Sequence, residues 1–317
     1  MKSSIFVSGA AGFIGSSLSR RLINNNYTVI GIDNFYNSYP VSYKHQNIKQ
    51  LLKNNCFKFI ECDIRNKQKL EEVFAMYKPK IVIHLAALTG VRKSLTHPEL
   101  YFEVNVKGTE NVYMSAIKYI ASSFIISSSS SVYGDNPQLP FLETHILKPQ
   151  SPYAKTKCDA ESLIKHLFNK HKIPTAILRF FSVYGPSGRP DMAPYLFTHA
   201  AFNQTKITQY GDGKSARDYT YIEDVVNAIK KMISNMSSWS LLNIGNSSPV
   251  TLLSLIEIVE KYTDKKISLE FAPYNKSESF ITYADICRAQ KDLAWFPNTK
   301  FEDGMQKFID WFKIHRL

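Results

Sequence analysis

The chain has 317 residues, of which 44% are hydrophobic and 21% charged. This balance excludes a disordered chain or a fibre, and the length allows a large core without disulfide staples. The net charge of +12 comes from scattered basic residues with no run of five or six, so a basic solvated surface explains it better than a nucleic-acid interface. A few basic side chains could still serve a phosphate-bearing substrate. No apolar stretch approaches the ~20 residues that a membrane helix needs. Cys56, Cys62, Cys158 and Cys287 form no Cys-x-x-Cys pair, which points to reduced thiols of a cytosolic protein and away from zinc.

Strands and helices alternate from the start. Apolar, partly β-branched segments predict strands at residues 4–8, 28–33, 57–64, 81–87, 124–128 and 175–181. Amphipathic patterns between them predict helices at 69–77, 99–121 and 153–171. That rhythm implies βαβ crossovers, hence an α/β fold with a Rossmann-type doubly wound parallel sheet. Beyond residue 180 it breaks: Pro186, Gly188, Pro190 and Pro194 fall close together and predict an irregular loop region. Helices near 223–235 and 251–262, strands near 241–245 and 267–272, and closing helices near 285–294 and 302–314 complete the chain. The expected division is a dinucleotide-binding domain over residues 1–180 and a smaller mixed α/β substrate-binding domain over 181–317. Residues 214–245 are expected to return to the sheet domain as a further helix-strand unit.

The first strand runs into Ser8-Gly9-Ala10-Ala11-Gly12-Phe13-Ile14-Gly15 and then a helix. Small residues let the backbone approach a pyrophosphate, which sits on the amides and positive end of the helix. Glycines also serve ordinary tight turns. The stronger signal is Asp33, which ends the next strand 18 residues after Gly15 and is followed by Asn34. An acid there can bond the adenine ribose hydroxyls and repel a 2′-phosphate, which favours NAD over NADP. Met1-Lys2 and the apolar stretch behind them superficially resemble a signal peptide. The same glycines and Asp33 argue that the segment is retained.

Tyr153 and Lys157 form a Tyr-x-x-x-Lys motif, and residues four apart share a helix face. A free tyrosine, with a pKa of ~10, is a poor base at neutral pH. A nearby ammonium favours the phenolate, so Lys157 could activate Tyr153. The motif alone is common by chance. Its weight comes from Ser129, which ends the preceding strand 24 residues earlier and could meet the same substrate oxygen.

The segments Gly9-x-x-Gly12-x-x-Gly15, Cys62-Asp63-Ile64, His84-Leu85-Ala86-Ala87, Ser127 to Gly134 and Tyr153-x-x-x-Lys157 resemble, in order and spacing, the extended short-chain dehydrogenase/reductases. Thr89 to Leu95, Phe180 to Met192 and Arg217 to Ile222 further resemble UDP-hexose 4-epimerases, most closely the UDP-glucuronate 4-epimerase branch. The resemblance implies that Tyr153 removes the proton of the sugar 4-hydroxyl while C4 gives its hydride to NAD. It implies that Ser129 bonds that oxygen and that Lys157 holds the nicotinamide ribose. The 4-keto sugar then turns and is reduced on its other face, with no net redox. By position, Asp63 and Ile64 contact the adenine, Leu85, Ala86 and Ala87 line the cofactor groove, and Asn105 breaks a helix near the site. Arg217 holds the UDP pyrophosphate and Tyr210 lies against the uracil.

Related dehydratases carry an Asp-Glu pair just after the catalytic hydroxyl, and decarboxylases carry a Glu. Ser130 and Ser131 stand there instead and cannot supply that acid-base work, which favours an epimerase. The resemblance places the sugar C5 substituent among Ser128, Ser130, Ser182 and Arg189, with Arg92 also toward the substrate. Glu278 stands where relatives place a ribose-binding Asp. Thr282 replaces a bulky gatekeeper of some relatives, and together with Ser182 it leaves room for UDP-glucose or UDP-N-acetylglucosamine. A keto-sugar reductase is the more remote alternative. Apolar pairs Leu163/Leu167 and Ile164/Phe168, with the family resemblance, imply a homodimer through a four-helix bundle.

Overall fold

In the computed structural model, which describes residues 3–236, 238–274 and 279–317, the alternating pattern becomes one parallel sheet. Its first part runs β1 Ser4–Ser8, α1 Phe13–Ile23, β2 Thr28–Asp33, α2 Val41–Lys49, β3 Phe57–Glu61, α3 Lys67–Tyr77 and β4 Ile81–His84. Then follow α4 Val91–Thr96, α5 Pro98–Phe102, α6 Gly108–Lys118, β5 Ser123–Ser129, α7 Pro152–His171 and β6 Thr175–Phe180. A seventh strand, Trp239–Ile244, comes from the second half of the chain and pairs in parallel with β6, Trp239 opposite Thr175 and Ile244 opposite Phe180. Read across the sheet, this strand is followed by β6, β5, β4, β1, β2 and β3. This is the expected Rossmann-type α/β sheet. The order reverses beside β1, so the crevice for a ligand opens beyond the carboxyl ends of β1 and β4.

Alternating side chains serve two apolar layers. Ile5 and Val7 of β1 join the layer containing Leu18 and Leu22 of α1, with Val225 and Ile229 of α9, Ile222–Ser234. Phe6 of β1 and Ile30 and Ile32 of β2 face the other, with Val73, Phe74, Val112 and Tyr113 of α3 and α6. Every residue of β6 is buried, which is why it reads as an unbroken apolar run.

Two expectations need correction. The continuous helix predicted over 99–121 is interrupted: α5 gives way to a π-helical turn, Glu103–Lys107, before α6. The proline-rich stretch after residue 185 is irregular only until α8, Ala193–Asn203, where Pro194 falls in the first turn and removes no intrahelical bond. α8 packs with α10, Leu252–Thr263, and α10 with the closing helix Phe301–Arg316. Parallel strands Ile207–Tyr210 and Leu269–Ala272 belong to the same region. Asp218, fully buried, accepts the amides of Asn246 (2.8 Å), Ser247 (3.1 Å) and Ala284 (2.9 Å), tying this region to the loop beyond the seventh strand. A cleft of about 1100 Å³ opens between it and the carboxyl edge of the sheet.

Candidate active site

At the end of β1 the chain turns at Gly9 with φ +71°, where a Cβ would lie 2.9 Å from the Ala86 nitrogen. A Cβ on Gly15 would lie 2.1 Å from the Gly9 carbonyl oxygen, so α1 can start here only against a bare backbone. No side chain caps α1 at Gly12. Gly9, Gly12, Phe13, Ile14 and Gly15 line the cleft. Asp33, buried at the end of β2, accepts the amides of Ala11 (3.2 Å) and Phe35 (2.9 Å) and an ion pair from Lys44 (3.3 Å). Asn34 donates to Asp63 at 2.8 Å. Burial works against the Asp63 charge, but hydrogen bonds from Arg65 and Asn34 prevail and hold its carboxyl below the usual range. Asn34, Asp63, Ile64, Leu85, Ala86 and Ala87 all line the cleft. A Cβ-free cradle, an uncapped helix start and a carboxylate at the second strand end suit the pyrophosphate and ribose of a dinucleotide. Asn105 is not among the lining residues. It sits in the π-helical turn behind the wall, where its side chain bonds both the N–H and the C=O of Leu88 and the Thr156 hydroxyl.

Ser129, Tyr153 and Lys157 come together on the opposite wall. Ser129 is the last residue of β5. Ser151 caps α7 by accepting the Ala154 amide at 3.1 Å, and Pro152 presets the first turn, which fixes Tyr153 at the helix mouth. Lys157 follows one turn on, buried, donating to the Ser127 carbonyl at 3.0 Å. Burial pulls its pKa down to about 8, against the pull of Glu161. Burial pushes the Tyr153 phenol up, while a hydrogen bond with Ser129 and the positive charge of Arg189 work in the other direction. The Ser131 amide and hydroxyl both reach Ser129 Oγ, at 3.2 and 3.0 Å. With those two donors on its oxygen, Ser129 is left to donate its own proton toward Tyr153, the arrangement that favours a phenolate.

The remaining candidates spread along the cleft. Ser130, Ser182 and Thr282 line it, and Thr282 also accepts the Asp218 amide at 3.1 Å. Ser128 lines the cleft too, and its hydroxyl donates to Glu161 at 2.5 Å. Arg189 pairs with Asp191, Nε to Oδ1 at 3.0 Å. Arg92 lies over the Tyr210 ring, 4.4 Å from its centroid, so the two proposed substrate residues meet face to face. Arg217 lines the cleft and donates to the Ala216 and Phe280 carbonyls. Glu278 lies outside the described residues. Three contributors escaped the sequence reading of the site. Lys44 has no local signal, and the role of Ser131 depends on a turn. Glu161 was visible in principle, four residues beyond Lys157 on the same helix face.

The reversed strand order, the glycine cradle with its acid, and the Ser/Tyr/Lys set on the facing wall define a nucleotide-binding enzyme of the short-chain dehydrogenase/reductase class. More narrowly, the chain belongs to the GDP-mannose 4,6 dehydratase family, whose model matches residues 6–308. It is 36% identical to a UDP-glucuronate 4-epimerase of Thermodesulfobacterium geofontis over 97% of this chain and 95% of that one. Among solved structures, it is similar to the UDP-glucuronic acid 4-epimerase of Bacillus cereus in complex with UDP-glucuronic acid and NAD. The TM-score is 0.94 and the identity 34%, over 98% of this chain and 99% of that one. It is also similar to the UDP-glucose 4-epimerase of Thermotoga maritima with UDP-glucose, at a TM-score of 0.91 and 29% identity over 98% and 99% of the two chains.

Proposed function

We propose that the chain is an NAD-dependent UDP-sugar 4-epimerase that interconverts UDP-glucuronate and UDP-galacturonate through a transient 4-keto sugar. The observation that carries this is the intact Ser129/Tyr153/Lys157 set followed by Ser130 and Ser131, with no acid where elimination or decarboxylation would need one. NAD supplies, when bound, a reversible hydride acceptor for sugar C4. Tyr153 takes the proton of the 4-hydroxyl and returns it to the oxygen after the sugar has turned. Ser129 donates a hydrogen bond to that oxygen and keeps it beside the phenol. The charge of Lys157 holds Tyr153 in its basic form. Gly9, Gly12 and Gly15 hold the NAD pyrophosphate, and Asp33 its adenine ribose. Arg217, Tyr210 and Arg92 hold the UDP part.

Ser130, Ser182 and Arg189 all line the cleft, and a sugar carboxylate held by them would gain charge-assisted hydrogen bonds worth roughly 1.5–3 kcal/mol each. Thr282 in the lining favours a second reading, UDP-glucose or UDP-N-acetylglucosamine, because a small side chain there leaves space for a neutral sugar. The Ser182→Ala variant separates them. It should lose far more kcat/KM on UDP-glucuronate than on UDP-glucose. An equal loss, or a wild type that prefers a neutral sugar, would overturn the carboxylate assignment and leave the epimerase standing. The same proposal includes a homodimer in which α6 and α7 pack against their copies.

A further inference from the structure

We infer that Glu161 is a positioning residue of this site: clamped by Arg179 behind the catalytic wall, it anchors the end of β5 and keeps Lys157 cationic for proton transfer at Tyr153. The inference rests on the roles proposed above for Lys157 and Tyr153. α7 places Tyr153, Lys157 and Glu161 four residues apart, on one face. Glu161 is 9% exposed and Arg179, on β6, 3%. Arg179 grips the carboxylate at two points, Nε to Oε1 at 2.9 Å and Nη2 to Oε2 at 2.6 Å. Its remaining arm is fixed by the Tyr133 hydroxyl (2.9 Å) and the Glu143 carbonyl (3.3 Å), and Tyr133 in turn donates to Asn243 at 2.6 Å. The Ser128 hydroxyl completes the cluster on Oε1. The carboxylate therefore reaches from the helix of Tyr153 to the strand that ends in Ser129.

A buried ion pair is weak evidence for stability, since apolar side chains of similar volume often serve as well. Its position beside Lys157 calls for another account. Around Lys157, the Ser127 carbonyl of β5 accepts its hydrogen bond, Tyr153 and Glu161 lie one turn to either side on its own helix, and His84 of β4 feels its charge. His84 is neutral and adds no second positive charge beside the ammonium. Ser8 Oγ accepts the amides of Leu85 and Ala86, so its proton goes to His84 Nδ1 (2.7 Å) and the ring keeps its proton on Nε2, toward Thr109 (2.9 Å). Burial with Lys157 nearby pulls the His84 pKa down to about 3. Glu161 is thus the carboxylate that opposes the desolvation of Lys157.

The test is the pH profile of kcat in wild type, Glu161→Gln and Glu161→Asp, together with the titration midpoint of Lys157. That midpoint is followed by pH-dependent labelling with formaldehyde and borohydride and by peptide mass spectrometry. Glu161→Gln should move the alkaline limb and the labelling midpoint down by at least about one pH unit, a tenfold change in the Lys157 proton equilibrium. Glu161→Asp should restore part of the shift. The double variant Glu161→Gln/Arg179→Gln leaves no unpaired buried charge, and should still titrate below wild type if the single variant does not fold. A uniform loss of kcat with limb and midpoint unmoved would overturn the inference. A wild type with no epimerase activity would overturn the proposed function instead, and the labelling midpoint would still decide the role of Glu161.

Discussion

The chemistry rests on opposing effects at single side chains. Burial disfavours both the Tyr153 phenolate and the Lys157 ammonium, yet the proposed reaction needs both charged forms. Ser129, Arg189 and Glu161 are the groups that push back. Because the folded pKa of Lys157 lies near 8, below that of a free lysine, its charge is present below that pH and lost above it, and activity should decline on that side. The Tyr153→Phe variant removes the proton acceptor and little else. It should fold and retain NAD while losing at least ~10²-fold in kcat, the scale of a general base. A kcat within about threefold of wild type would remove Tyr153 from its role. Tyr153, Lys157 and Ser129 could be singled out in the sequence because a helix places residues four apart on one face and a strand end precedes them. Lys44 could not, because its ion pair with Asp33 depends on a tertiary approach, and the two donors from Ser131 could not, because they depend on the tight turn that follows Ser129.

At the scale of elements, the strands were legible wherever an apolar run is buried on both faces, as in β6. The π-helical turn at Glu103–Lys107 was hidden from periodicity, since its apolar pattern runs on as though the helix were continuous; the helix break expected at Asn105 came from the family resemblance alone, and it is there. Asn105 shows what the turn does: its side chain takes the backbone groups of Leu88 and the Thr156 hydroxyl, joining the cleft wall after β4 to the helix of Tyr153. The helix faces also bear on assembly. Ile164, Leu167 and Phe168 are buried within the chain, so they do not form the outward face that the sequence suggested. On these helices Phe102 (40%) and Met114 (36%) are exposed and Leu163 is half-buried. On the proposed dimer, light scattering at micromolar concentration should give twice the chain mass. Met114→Glu should reduce it to a monomer. A monomeric wild type would contradict that assembly.

Across the molecule, one sheet edge carries both halves of the proposed reaction. The cradle after β1 and the acid ending β2 face the serine ending β5, and the region around α8, α10 and the buried Asp218 closes the cleft over them. No helix among the described residues is long and apolar enough to cross a membrane. In the proposed reaction the cofactor stays with the protein and is restored at every turnover. The direct measurement is incubation of the purified protein with UDP-glucuronate and no added cofactor, with the products separated by chromatography. UDP-galacturonate should accumulate to an equilibrium mixture at unchanged mass and with no net gain in absorbance at the NADH band. A requirement for added NADPH, or a product lighter by water or carbon dioxide, would contradict it.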